Sequence, residues 1–357
     1  MGYTGDKTTP DAACQVRRWS SRLRTSVFPK VQLEMPRLVW SHTVKNMFRE
    51  MVQCVQGRVA SVTVTANAGS GCRPETAALE RQTRMLGTLL ERTARIDGDL
   101  ASHEFQVYSQ WGEDGILSFL VNLLDPLPQN FVEFGVENYL EANTRWLLCH
   151  RNWRGLVIDG SVGNVQQIRA SDLSWRHDLT AVQAFVTRDN INHLLSSQGF
   201  SGPIGILSID IDGVDFWVWE RIDTVEPVIV VVEYNSLFGP DRCVTVPYSE
   251  FFVRHEAHHS TSYYGASLAA LVALGRKKGY CFVGSNTAGN NAFFVKQDRM
   301  KPPLRERTAS EGYVRRAFRE ARDADGRLML PTFEQEAALI AALPLVDVAA
   351  FCSSQAE

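Results

Sequence analysis

Short apolar runs, each closed by an acid or a glycine, recur through the middle of the chain and alternate with stretches of helical period. Strands are expected at 131–134, 155–158, 204–209 and 228–233. The run Val228-Ile229-Val230-Val231-Val232 is β-branched throughout, which implies burial on both faces and a central parallel strand. Helical patterns fill 109–124, 190–195 and 268–278. Ser109 is the expected cap of the first, with Glu113 and Asp114 in its first turn. Two further strands, 280–284 and 291–296, are separated by too little chain for a parallel crossover, so they must pair antiparallel. The pattern predicts an α/β, Rossmann-like sheet over 105–300, mostly parallel and closed by a C-terminal antiparallel hairpin.

The flanks read differently. Over 74–104 the apolar residues Leu79, Met85, Leu86, Leu89, Leu90 and Ile96 fall on one face of an amphipathic helix, a candidate seam for a homodimer. Residues 1–73 form a basic, poorly ordered or accessory extension. Within 1–60, Lys and Arg number ten and the acids four. Residues 301–357 read as an accessory segment, charged first and then helical near 333–343, with no chemistry visible.

Bulk properties mainly exclude. The formal charge of −3 gives no case for nucleic-acid binding. No apolar run reaches the length of a membrane span. The seven cysteines are scattered and form no CxxC pair, so neither a zinc knuckle nor a disulfide framework is expected, and a reducing cytoplasm is the default location.

Candidate chemistry gathers behind the strands. Phe131-Val132-Glu133-Phe134-Gly135 ends in an acid and a glycine, and Asp159-Gly160-Ser161 closes the next strand. A turn that approaches a ligand, followed one βα unit later by a carboxylate for both ribose hydroxyls, is an adenosine-binding layout. GxGxxG is absent, which favours S-adenosylmethionine (SAM) over NAD. The loop continues Val136-Glu137-Asn138-Tyr139, so without a second glycine it must be wider or shaped by Asn138. An acidic group follows: Asp210 and Asp212 after the fourth strand, Glu233 and Asn235 after the fifth. Oxygen ligands of this kind suit Mg²⁺, Mn²⁺ or Ca²⁺, and catechol-type O-methyltransferases use a similar arrangement of acids and an amide after the fourth and fifth strands. His255-Glu256-Ala257-His258-His259 matches HExxH, but no acid lies between Glu256 and Asp298 and His259 is the last histidine. His255, His258 and His259 are instead candidates for a general base or a metal ligand.

Ser109-Gln110-Trp111-Gly112-Glu113-Asp114-Gly115, Glu133-Phe134-Gly135 and Ser208-Ile209-Asp210-Ile211-Asp212-Gly213 together resemble the FkbM-like SAM-dependent methyltransferases, in particular a poorly characterised bacterial branch. The resemblance covers roughly 105–297. It implies that Glu133 and Gly135 lie beside the methionine part of SAM, Asp159 on the ribose, Asp178 on the adenine, and Asp210 at the reaction centre. The implied activity is O-methylation of a small polar acceptor, a sugar or an intermediate of secondary-metabolite biosynthesis. Two alternatives stand beside it: a metal-dependent enzyme on this fold that transfers no methyl group, and a non-catalytic interaction protein.

Overall fold

The computed structural model describes residues 74–94 and 96–353, so the expectations for the basic extension lie outside the described residues. Pro74–Thr93 form helix α1. The helix packs on the one that follows. Gly87 is buried against Val107 and Trp146 and Leu90 packs on the apolar core, while Met85 and Leu89 face solvent. The apolar stripe is therefore divided between the domain and the outside. That following helix, α2, spans Glu113–Leu124 and starts later than the Ser109 expectation, from a left-handed Gly112. Ser109 still contributes, because its Oγ accepts the Asp114 N–H at 3.0 Å. Asp114 Oδ2 in return accepts the backbone N–H groups of Val107, Tyr108 and Ser109 at 2.7, 2.6 and 2.9 Å.

The parallel strands are β1 (Asn130–Phe134), β2 (Arg154–Asp159), β3 (Leu179–Gln183), β4 (Gly202–Ile209) and β5 (Val225–Glu233). The hairpin is β6 (Tyr280–Ser285) and β7 (Asn291–Lys296). Their spatial order is β3-β2-β1-β4-β5-β7-β6. All neighbours are parallel except β5–β7 and β6–β7. This is the Rossmann-like sheet with an antiparallel hairpin that the pattern predicts. The edge strand β3 escapes the pattern, because Leu179-Thr180-Ala181-Val182-Gln183 is only partly buried and has no continuous apolar run.

Helices cover both faces. On one, α2 and Arg145–Arg151 (α3) pack Ile116, Leu120 and Trp146 against β1 and β5. On the other, Asp215–Arg221 (α4) and Leu268–Lys277 (α5) bring Phe216, Trp219 and Leu271 onto β4, β5 and β7. Ser267 caps α5 by accepting the Ala270 N–H.

The segment after β7 is not a separate piece. Tyr234 Oη donates to the Val314 carbonyl at 2.7 Å, and the Arg316 N–H donates to Ser236 Oγ at 3.0 Å. Helix α6 (Phe333–Ile340) follows, with a capping box at Thr332 and Gln335. Its Glu336 forms a buried ion pair with Arg316. Residues 313–340 thus run as a strap over the end of β5. Among the described residues, no helix is long and apolar enough to cross a membrane.

Candidate functional site

The strand order reverses at β1 and β4, and the loops after these strands leave a crevice at their carboxyl ends. Gly135 follows β1 at φ +69°, and a Cβ there would lie 1.6 Å from the Asp210 carbonyl oxygen. The glycine is thus required by the contact between the two loops. A cavity of about 200 Å³ opens beside it, bounded by Gly135, Asp159, Gly160, Phe185, Asp210 and Phe252 among others.

Asp159 is buried at the tip of β2. Its Oδ1 accepts the Ser161 N–H at 2.8 Å and Asn164 Nδ2 at 3.1 Å, which fixes the carboxylate plane. Its Oδ2 has no hydrogen-bond partner among the described residues, and Asp159 lines the first cavity. Ser161 serves the fold, capping the following helix through the Asn164 N–H at 3.3 Å.

The glycine-poor loop is held in a tight shape by residues other than glycine. Glu137 and Tyr139 take φ +48° and +61°, and Asp212 in the facing loop takes +54°. Such conformations cost energy for L-residues and often accompany functional loops. Asn138 Oδ1 accepts the Leu140 N–H at 3.1 Å, so Asn138 shapes the turn and does not line the cavity.

A second cavity, about 190 Å³, shares Gly135, Glu137, Asp210 and Asp212 with the first. Glu133 lines it but is held by the protein. Its carboxylate accepts the Asn143 and Thr144 N–H groups at 2.8 and 3.1 Å and the Thr144 hydroxyl at 2.5 Å. Burial nonetheless pushes its pKa up to about 7 against those hydrogen bonds. Glu133 therefore pins the start of α3. Opposite it, Asp210, Asp212 and Glu233 offer oxygens that all lie within 4.8 Å of one another. Burial, then Asp212 and Asp215, holds the Asp210 carboxyl well above the usual range; for Glu233 the causes are burial, then Asp210 and Asp212. Arg254 reaches into the cluster, donating to Asp212 Oδ1 and Glu320 Oε2 at 2.5 Å each over the Tyr264 ring.

Several expected residues are elsewhere. Asp178 precedes β3 and so sits at the amino ends of the strands, exposed and 3.9 Å from Arg154. The β3 wall of the first cavity is instead Ala184, Phe185 and Val186, just after the strand. Asn235 is fully buried and engaged. Its Oδ1 accepts the Leu237 N–H, and its Nδ2 donates to the Ser262 and Tyr264 carbonyls at 2.9 and 3.0 Å. It is no metal ligand in this arrangement. His255 and His259 are exposed, and His258 Nδ1 pairs with Ser260 Oγ at 2.8 Å. None of the three lines either cavity, because the short helix Arg254–Ala257 turns Arg254 inward and His255 outward. Phe318 and Glu320, from the strap, complete the second cavity. Nothing periodic marks them in the sequence. Arg254 stands beside the histidines, and no local pattern distinguishes it, because the acids it meets lie far from it in the sequence.

No protein-family model matches the chain, and no curated protein matches it. Among solved structures, an O-methyltransferase from Bacillus cereus in complex with SAH is similar at 12% identity and a TM-score of 0.26, over 52% of this chain and 67% of that one. A SAM-dependent methyltransferase from Aquifex aeolicus is similar at 8% identity and 0.32, over 59% and 98%. A methyltransferase from Geobacter sulfurreducens is similar at 16% and 0.28, over 68% and 97%.

Proposed function

We propose that the protein transfers the methyl group of SAM to a hydroxyl of a small polar acceptor. The observation that carries this reading is the pair of cavities meeting at Gly135, Glu137, Asp210 and Asp212. The first has the free Asp159 Oδ2 for ribose hydroxyls and the Phe185 and Phe252 side chains for an apolar ring. The second is polar and accommodates the acceptor. A methyl group at their junction would face both. Most of the rate then comes from holding sulfonium, methyl and oxygen in line. As the new O–CH₃ bond forms and the S–CH₃ bond breaks, the hydroxyl proton must leave. Asp210 and Glu233 are the nearest acceptors, and their raised pKa values make the ionised member of the pair a competent base.

A divalent ion is a second reading of the same cluster, favoured by the spacing of Asp210, Asp212 and Glu233. Those three carboxylates would hold it, and a bound ion would lower the pKa of an acceptor hydroxyl. Arg254, already bonded to Asp212, and the unavailable Asn235 weigh against it.

Asp159→Ala tests the cofactor assignment. Calorimetric titration with S-adenosylhomocysteine is expected to show binding weaker by about 1–3 kcal/mol, the scale of a lost hydrogen-bonding partner in a buried site. Unaltered affinity would remove Asp159 from the ribose.

A further inference from the structure

The methyl-transfer reading leaves the charge of the second cavity unused. Eight of its lining residues carry carboxyl groups and one, Arg254, carries a positive charge. That one charge is already paired on both sides, by Asp212 and Glu320. Acidic walls alone decide nothing, and Glu133 has partners within the protein. Two buried acceptors differ. Glu233 is 6% exposed, and its Oε2 has no hydrogen-bond partner. Asn291 is 3% exposed; its Nδ2 donates to Glu113 Oε1 at 2.8 Å, which leaves Oδ1 without a partner. The two residues are register partners on β5 and β7, both line the cavity, and each keeps one buried acceptor oxygen without a partner. A buried acceptor left unpaired is costly, so a ligand that brings N–H groups gains by filling the site. The same cavity is bounded by Trp111 and Phe318, whose rings stack at 5.6 Å and 16°. Aromatic faces attract cations and shelter them from water.

We infer that the acceptor enters this cavity as a cation: a small amine whose ammonium group is held by Glu233 and Asn291 and whose hydroxyl points toward Asp210. The inference rests on the proposed methyl transfer and narrows its substrate class. The ammonium anchors and is not methylated, because its lone pair is held by the proton. Methyl transfer to the hydroxyl leaves the ammonium unchanged.

The methionine end of SAM also carries an ammonium, so the test is made with that source already in place. The full-length protein is saturated with S-adenosylhomocysteine and titrated calorimetrically with tyramine and with tyrosol, which has a hydroxyl where tyramine has its ammonium. Tyramine is expected to bind at least about tenfold tighter, the difference between a charged and a neutral hydrogen bond. Glu233→Gln, which keeps the shape and removes the charge, is expected to bring the two within about threefold, well inside that tenfold step. Equal binding of the two probes, or no binding of tyramine, overturns the inference. So does tyramine binding that disappears once S-adenosylhomocysteine is present, since the ammonium site then belongs to the cofactor. Mn²⁺ that binds without competing with tyramine supports the inference if the preference over tyrosol remains, and Mn²⁺ that binds where tyramine does not overturns it. Failure of S-adenosylhomocysteine itself to bind defeats the methyl-transfer reading, and the tyramine–tyrosol ratio on the free protein then decides the charge preference alone.

Discussion

Gly135→Ala is expected to lose about 2–5 kcal/mol of stability and all measurable cofactor binding. Two effects add. The left-handed backbone costs an L-residue about 1–2 kcal/mol. Forcing a methyl group into occupied space costs about 1–3 kcal/mol more. Here the space is held by the Asp210 carbonyl oxygen, 1.6 Å from the position of the new carbon, and backbone does not yield as a side-chain tip does. The β1 and β4 loops must separate, and both cavities share those loops. Gly160→Ala is the matched control. It also borders the first cavity, but its added carbon would meet only Phe185 Cδ2 at 3.6 Å, an ordinary contact. Urea unfolding and S-adenosylhomocysteine titration of both variants check this. Near-equal stability of the two would show that the loop contact is not the constraint.

The strap provides the second large effect. Arg316 and Glu336 are 7% and 3% exposed, and Ser262 Oγ donates to the same Glu336 Oε1 at 2.7 Å. Arg316 Nε and Nη1 already lack partners, and Nη2 has besides Glu336 only a 3.3 Å hydrogen bond to Ser262 Oγ among the described residues, so the guanidinium depends on Glu336 for its charge. Removing one partner of a buried pair leaves an uncompensated charge and costs about 3–5 kcal/mol. Glu336→Ala is therefore expected to destabilise by that amount and to make 313–330 susceptible to proteolysis. The double change Arg316→Met with Glu336→Leu is expected to regain most of the loss, since apolar residues of similar volume often replace such pairs well. A double variant no more stable than Glu336→Ala would mean that the ion pair is not what holds the strap.

Much of the sheet was legible because its strands are buried. Val228–Val232 could only be a central strand, and the short link between 280–284 and 291–296 allowed only a hairpin. β3 was not legible, because an edge strand with Thr180 and Gln183 lacks that signal. The missing strand explains the misplaced Asp178. Without the bounds of β3, an acid at its start could be taken for one at its end. Parallel strands align their carboxyl ends, so Gly135, Asp159, Asp210 and Glu233 converge as their sequence positions suggested. Side-chain direction in irregular chain has no such rule. The HExxH pattern drew attention to His255, His258 and His259, whereas the group that enters the site is Arg254. Glu320 and Phe318 arrive through tertiary packing of the strap, which no local pattern encodes.

The most direct test of the central claim is calorimetric titration of the full-length protein with S-adenosylhomocysteine and, separately, with NAD⁺. The geometry at Gly135 and Asp159 predicts one site for S-adenosylhomocysteine and none for NAD⁺, whose pyrophosphate would need the glycine-rich turn this chain lacks. Binding of NAD⁺, or no binding of S-adenosylhomocysteine, would contradict it.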